Sequence, residues 1–97
     1  MRTFAEVEPV LTPLFNSLVW GVPDSPVRAT SVMQVLRRLW RRAKYPGGRK
    51  NARARWKLRR IFELWVWSAR RGEISMPTGT SLEDAILSVR VMQAEVS

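Results

Sequence analysis

Residues 50–71 read KNARARWKLRRIFELWVWSARR and carry the most informative pattern in this 97-residue chain. Apolar side chains recur there at intervals of three and four residues, which is the spacing of one face of an α-helix. Gly72 follows at a position where helices commonly end. The pattern predicts a long amphipathic helix with one buried face. The residues that we expect to be buried are Ala54, Leu58, Ile61, Phe62, Trp65 and Ala69.

The opposite face of this helix combines cations with two tryptophans, Trp56 and Trp67. An outward Trp is able to stack on an unpaired base. Alternatively, it buries its large area against another helix or a second subunit. We favour packing, because a pair of exposed tryptophans is a liability for solubility. The same face holds Arg53, Arg60, Glu63, Leu64 and Arg71.

The first helix is predicted over residues 3–20, where apolar residues again recur at helical spacing. Pro9 and Pro13 complicate it, since a proline inside a helix costs about 3 kcal/mol. Thr12-Pro13 matches an N-cap residue followed by the first helical position, so we expect a break near residue 12. Residues 21–24, with the sequence GVPD, end this unit.

The second helix is predicted over residues 26–44, with Ser25-Pro26 as its N-cap and first position. Residues 45–48, with the sequence YPGG, end it. Trp40 lies on its inner arc, as Trp65 does on that of the third helix, so we expect both in the core. The inner arc contains Ala29, Val32, Met33, Leu36, Leu39, Trp40 and Ala43, and Arg37, Arg38, Arg41 and Arg42 lie outside it.

A fourth helix is predicted over residues 81–95, where Thr80-Ser81-Leu82-Glu83 forms a capping box. Leu87 and Val91 point away from its main apolar stripe, which indicates contact with a second chain. A domain this small often gains buried area by oligomerisation. The sequence therefore predicts an all-α fold. We expect a three- to four-helix bundle forming a single domain over residues 1–97, and a homodimer through helix 4 and the outer tryptophans.

The composition excludes several kinds of site. The chain has no Cys and no His, so thiolate or imidazole metal sites, Cys nucleophiles and His-based triads are ruled out. We expect no catalytic residues, no metal, no cofactor and no enzymatic activity. No apolar run approaches the roughly 20 residues of a membrane span, and residues 1–6 lack the layout of a signal peptide. We expect an intracellular protein, cytoplasmic or, in a eukaryotic host, nuclear.

The formal net charge of +9 is concentrated in residues 37–60. This segment contains twelve of the seventeen Lys and Arg residues and none of the eight acidic ones. Arg outnumbers Lys there by nine to three, which favours bidentate contacts with phosphate. Because unopposed cations repel one another, we interpret the segment as a surface for a polyanion, with nucleic acid as that polyanion. The candidate binding residues are Arg37, Arg38, Arg41, Arg42, Lys44, Arg49, Lys50, Arg53, Arg55, Trp56, Lys57, Arg59, Arg60 and Arg71.

Residues 49–60, RKNARARWKLRR, resemble the arginine-rich RNA-binding helices of viral and phage regulatory proteins. The resemblance covers twelve residues and implies an Arg-dense helix in an RNA groove, in a small viral or phage accessory protein. The chain departs from that type because Leu58, Ile61 and Phe62 continue the helix into a core-like face. This favours a folded platform that recognises shape and backbone more than base edges.

Three alternatives compete with this interpretation. Residues 14–20, 21–23 and 25–43 have the order of a DNA-binding helix-turn-helix. Residues 61–67, apolar and flanked by Arg pairs, resemble a membrane-surface helix, although the acidic terminal parts make a membrane partner the weaker choice. A third possibility is an acidic partner protein. In the helix-turn-helix case, the recognition residues would be Arg28, Ser31 and Gln34.

Overall fold

Helices dominate the computed structural model, which describes residues 1–16, 18–20, 30–45 and 47–97. Within these residues, four helices form a bundle around a single apolar cluster, and one short antiparallel strand pair lies between the first and second helices in the chain. In chain order the elements are α1 (Phe4–Phe15), β1 (Val19–Trp20), β2 (Thr30–Ser31), α2 (Val32–Lys44), α3 (Gly48–Arg70) and α4 (Leu82–Glu95).

Helix α1 is continuous through both prolines, so the predicted break near residue 12 is wrong. Pro9 and Pro13 lie on the exposed side of the helix, where water can satisfy the carbonyl groups that lose an amide donor. The hydroxyl of Thr12 donates to the carbonyl oxygen of Glu8 at 2.7 Å and does not cap a new helix. The cap of α1 is Thr3, which forms a capping box with Glu6.

The predicted first and second helices are both too long. Helix α1 ends at Phe15, and Val19–Trp20 pairs in antiparallel register with Thr30–Ser31. Helix α2 begins at Val32, because the Ser31 side chain caps it by accepting from the amide of Met33 at 3.3 Å. β-branched and aromatic residues at this strand pair favour extended backbone over helix. The predicted cap Ser25-Pro26 and the predicted turn over residues 21–24 lie outside the described residues.

The connection between α2 and α3 is a glycine turn held by one side chain. Gly47 and Gly48 have φ angles of 82° and 86°, in the left-handed region that glycine adopts without strain. Helix α3 consequently begins at Gly48, two residues before the predicted start. From its first turns, the side-chain amide of Asn51 donates to the carbonyl oxygen of Ala43 at 2.5 Å and to that of Tyr45. One carbonyl group of the last turn of α2 and that of its C-cap residue are therefore satisfied by α3.

The core confirms the predicted inner face of α3 and most of that of α2, where Met33 is only partly buried and Ala29 lies outside the described residues. All six apolar residues expected on the inner face of α3 are buried, and Val66 joins them. Trp40 and Trp65 are buried, as predicted, and their indole N–H groups donate to the carbonyl oxygens of Arg2 at 2.8 Å and Leu14 at 3.0 Å. Trp65 also packs on Phe15, with ring centroids 5.6 Å apart.

Helix α4 packs on α3 through a narrow apolar stripe and leaves part of its surface uncovered. Ala85 and Val89 are fully buried, whereas Leu87 and Val91 are 64% and 47% exposed, in agreement with their predicted outward position. The homodimer through this helix stays a prediction. No helix in the described ranges combines the length and the apolar character needed to cross a bilayer.

The inner and outer tryptophans should contribute very differently to stability. Trp65→Ala removes a buried ring and leaves the Leu14 carbonyl oxygen without its donor, so we expect the free energy of unfolding to fall by about 3–5 kcal/mol. Trp67→Ala, at a position 54% exposed, should cost less than about 1 kcal/mol. Urea denaturation followed by circular dichroism measures both. Equal losses would contradict this assignment of inner and outer faces.

Asn51→Ala should loosen the turn between α2 and α3. The variant removes the donor to the Ala43 and Tyr45 carbonyl oxygens, and alanine's higher helix propensity offsets part of the loss. We expect a net loss of about 0.5–1 kcal/mol, which lowers the melting temperature by about 2–8 °C. Lys50→Ala, at the exposed neighbouring position, is the matched control; it removes a cation that opposes the helix dipole, so it should melt at or slightly above the temperature of the unmodified protein. Thermal melts in which the two variants coincide would count against the role of Asn51.

Candidate nucleic-acid interface

A groove runs along the contact between α2 and α3 and gathers seven of the candidate binding residues. Its larger part has a volume of about 560 Å³, and Val35, Leu39 and Ile61 provide apolar lining. It continues into a hollow of about 180 Å³ near the start of α3, and the two share Leu39, Arg42 and Lys57 as lining residues. We call this the basic groove. Its cations are Arg38, Arg42, Lys50, Arg53, Lys57 and Arg60, and Trp56 is the seventh candidate.

The six cations of the basic groove are exposed and without acidic partners in the described part of the chain. Arg2, Arg37, Arg71 and Arg90 form the ion pairs found there, with Glu95, Glu8, Glu73 and Glu63 respectively. None of these pairs includes a groove residue. Exposed guanidinium and ammonium groups that form no ion pair within the described residues remain free to contact an external anion.

The start of α3 adds to the positive potential of the groove. Its first turn contains no acidic residue, and its N-cap, Gly47, provides no side chain to accept from the free amides. A helix N-terminus carries a partial positive charge, so Arg49 and Lys50 are unfavourably placed for the stability of the helix itself. The same arrangement of free amides and cations favours a bound anion. Arg49 is exposed at this end and completes the basic surface there.

Three candidate residues on α2 lie on its other flank, towards α1. Arg37 forms an ion pair with Glu8 at 3.1 Å, and its guanidinium carbon lies 5.7 Å from the centre of the Phe4 ring. Arg41 and Lys44 line a separate open cavity of about 760 Å³ between α1 and α2. Arg37 and Arg41 still share the solvent-facing surface of α2 with Gln34, Arg38 and Arg42, so they border the basic groove without lining it.

Two further candidates on α3 make contacts within the fold. Arg59 donates to the carbonyl oxygen of Val96 at 2.8 Å, and its own carbonyl oxygen accepts from Gln93 at 3.2 Å. Arg55 lies 3.8 Å from the sulfur of Met1. Both side chains are half-buried on the side of α3 away from the basic groove. Their charge contributes to the field of the surface, while their contacts join α3 to the two ends of the chain.

Arg71, the last candidate, is held at the far end of α3. Its Nε donates to Glu73 at 2.9 Å, and its guanidinium carbon lies 4.3 Å from the centre of the Trp67 ring. The ring centre is within the distance at which a cation and an aromatic face attract each other. Arg71 is thus engaged by two partners of its own chain, and the structure does not bring it into the basic groove.

The structure adds apolar groove residues that the sequence interpretation did not include. Val35 and Leu39 lie three residues before Arg38 and Arg42, and Leu64 lies four after Arg60, so helical spacing was the signal that could have identified them. The chemistry of the groove is that of an apolar floor with cationic walls. The described residues contain no cluster of three or more acidic side chains suited to a metal ion.

Glu63, an acidic residue that does not line the groove, forms hydrogen bonds between two helices. Its carboxylate accepts from the Arg90 guanidinium and, at 3.1 Å, from the Gln93 amide, which joins α3 to α4. These hydrogen bonds lower the pKa of Glu63 below its ordinary value of 4.5, and the one from Arg90 has the larger effect. A lowered pKa means that the folded state favours the carboxylate, so its stabilising effect is complete above pH 4.5 and is lost as the pH falls through the folded-state pKa.

Glu63→Gln should therefore lower stability in a pH-dependent way. The pair is exposed, so we expect a loss below about 1 kcal/mol at pH 7. The difference in stability between the variant and the unmodified protein should shrink as the pH is lowered below 4.5. The Glu63 side chain of the unmodified protein then becomes protonated and is neutral, as the glutamine of the variant is at every pH. Thermal melts at a series of pH values measure this. A difference that stays constant down to pH 3 would be inconsistent with the assigned hydrogen bonds.

The chain matches no protein-family model, no curated protein and no solved structure. What the groove does must therefore be inferred from its own chemistry: six exposed cations, an apolar floor and an exposed indole, all displayed by two packed helices.

Proposed function

We propose that this protein binds nucleic acid, with RNA favoured over DNA, through phosphate contacts in the basic groove. The observation that carries the proposal is the set of six exposed cations, without acidic partners in the described ranges, that line this one groove. Each Lys or Arg that contacts a phosphate releases condensed counterions, which favours binding at low salt. A regularly charged backbone matches such a row of cations better than an isolated small anion does.

The distribution of ion pairs supports the choice of this groove over other basic surfaces. Carboxylates of the same chain occupy Arg37 on the α1 side, Arg90 on the α4 side and Arg71 at the end of α3. The groove cations are left for an external partner. The groove cations also lower the stability of the unbound fold, since like charges on α2 and α3 repel each other and Lys50, in the first turn of α3, opposes the helix dipole. A bound polyanion would remove both costs.

The preference for RNA rests on the resemblance of residues 49–60 to arginine-rich RNA-binding helices. Here the helix is part of a folded bundle, because Leu58 and Phe62 are fully buried beneath the basic face. Contacts would therefore be made by a rigid surface, mainly to phosphate and sugar. The helix-turn-helix alternative receives less support, since a strand pair replaces parts of both predicted helices, and Ser31 caps α2 instead of facing a base.

Charge removal inside and outside the groove tests the proposal with matched variants. Arg53→Gln/Arg60→Gln removes two groove cations, and Arg37→Gln/Arg90→Gln removes two cations that are ion-paired within the chain. Both variants have the same net charge. We expect the groove variant to weaken binding of RNA and to reduce the slope of log affinity against log salt by about 1 for each lost phosphate contact. The control should change both quantities less.

The measurement is fluorescence anisotropy with labelled single-stranded and duplex RNA, and DNA of the same sequences, at two salt concentrations. Absence of binding at low salt, or binding that does not depend on salt, would overturn the proposal. Equal losses in the two variants would show that net charge matters and the groove does not. Binding to an acidic protein without binding to nucleic acid would favour the partner-protein alternative instead.

A further inference from the structure

The two exposed tryptophans of α3 differ in what covers them. One face of Trp67 lies under the Arg71 guanidinium, 4.3 Å from the ring centre, and Glu73 holds that guanidinium at 2.9 Å. Trp56 is 59% exposed, and in the described part of the chain no cation lies over its ring. The predicted burial of Trp56 against another helix of the same chain does not occur. An indole left this exposed is a site where an external planar group can stack.

The position of Trp56 specifies what that planar group carries. Trp56 lines the basic groove together with Arg38, Arg42, Lys57 and Arg60, and the neighbouring lining is apolar, from Val35, Leu39, Ile61 and Leu64. A ligand that fills this groove needs an aromatic face for the indole and negative charge for the surrounding cations. An unpaired nucleobase attached to its phosphate backbone has both, at adjacent positions of one chain.

We propose that Trp56 is a stacking platform for an unpaired base, so that the basic groove binds single-stranded nucleic acid in preference to a duplex. This inference rests on the proposed function and specifies the form of its ligand. In a duplex the bases are stacked on one another and paired, so only the phosphates reach the groove. In a single strand a base turns inwards onto Trp56 while the phosphates on either side contact the cations. Because every base has a π face, this contact is tolerant of sequence.

Three variants separate stacking from charge and from folding. Trp56→Ala should weaken binding of an oligouridylate or oligothymidylate by about 5-fold to 150-fold, the effect of one lost stacking contact. Trp56→Phe retains an aromatic face and should recover most of that affinity. Trp67→Ala is the matched control, because it removes an exposed indole from the same helix at a position outside the groove lining, and it should bind like the unmodified protein. Helicity measured by circular dichroism should be the same in all three.

Ligands with and without accessible bases distinguish the stacking proposal from the proposed function. Inorganic polyphosphate and duplex RNA carry phosphates without accessible bases, so Trp56→Ala should bind them as the unmodified protein does. If Trp56→Ala loses no affinity for the single strand, or loses as much for polyphosphate, the stacking proposal is overturned while the proposed function stands. If the unmodified protein binds none of these polyanions at low salt, both proposals fail. Comparison of the RNA and DNA single strands shows whether the 2′-hydroxyl group of RNA contributes to the affinity.

Fluorescence provides a second readout that does not depend on affinity. Stacking of a base on an indole quenches its emission, so titration with the single strand should quench the unmodified protein and Trp67→Ala, and should quench Trp56→Phe much less. Sedimentation of Trp56→Ala and the unmodified protein is the remaining test. A change in oligomeric state, with no change in affinity for the single strand, would show that Trp56 belongs to a subunit contact and would overturn the proposal.

Discussion

The side-by-side packing of α2 and α3 is the constraint on which the rest of the structure depends. Both helices carry rows of cations, so bringing them together costs electrostatic energy. The buried residues of the same two helices oppose that cost, since each fully buried Leu or Phe contributes about 1.5–3 kcal/mol, and Leu36, Leu58 and Phe62 are fully buried. The Asn51 amide then fixes the turn between the helices. Without this packing the cations would belong to two separate helices and would form no common groove.

The remaining helices determine which cations stay available. Helix α1 brings Glu8 to Arg37, and α3 itself offers Glu63 to Arg90 of α4. The carboxylates of Glu8 and Glu63 are therefore engaged by arginines that do not line the basic groove. Arg59 binds a backbone oxygen near the end of the chain and acts as part of the fold. One continuous basic segment in the sequence is in this way divided into surfaces with different roles.

The periodicity of α3 predicted its buried face correctly, because a long helix repeats its pattern many times and errors at single positions matter little. Trp40 and Trp65 were assigned to the core for the same reason. The strand pair of Val19–Trp20 and Thr30–Ser31 was not predicted, because two residues in each strand are too few to show a period. Which cations line the groove could not be predicted from the sequence either. Arg38 and Arg37 are adjacent on the same polar face, and only the positions of α3 and α1 separate a free cation from a paired one.

Under the proposed function, the free cations of the basic groove would make folding and binding respond to salt in opposite directions. At an ionic strength near 0.1 M the Debye length is about 10 Å, comparable to the distance between packed helices, so added salt screens the repulsion between α2 and α3 and favours the folded state. The same screening reduces the gain from counterion release when a polyanion binds. A bound polyanion and added salt would thus both neutralise the cations of the basic groove. The salt concentrations at which the isolated protein is most stable are those at which the proposed binding should be weakest.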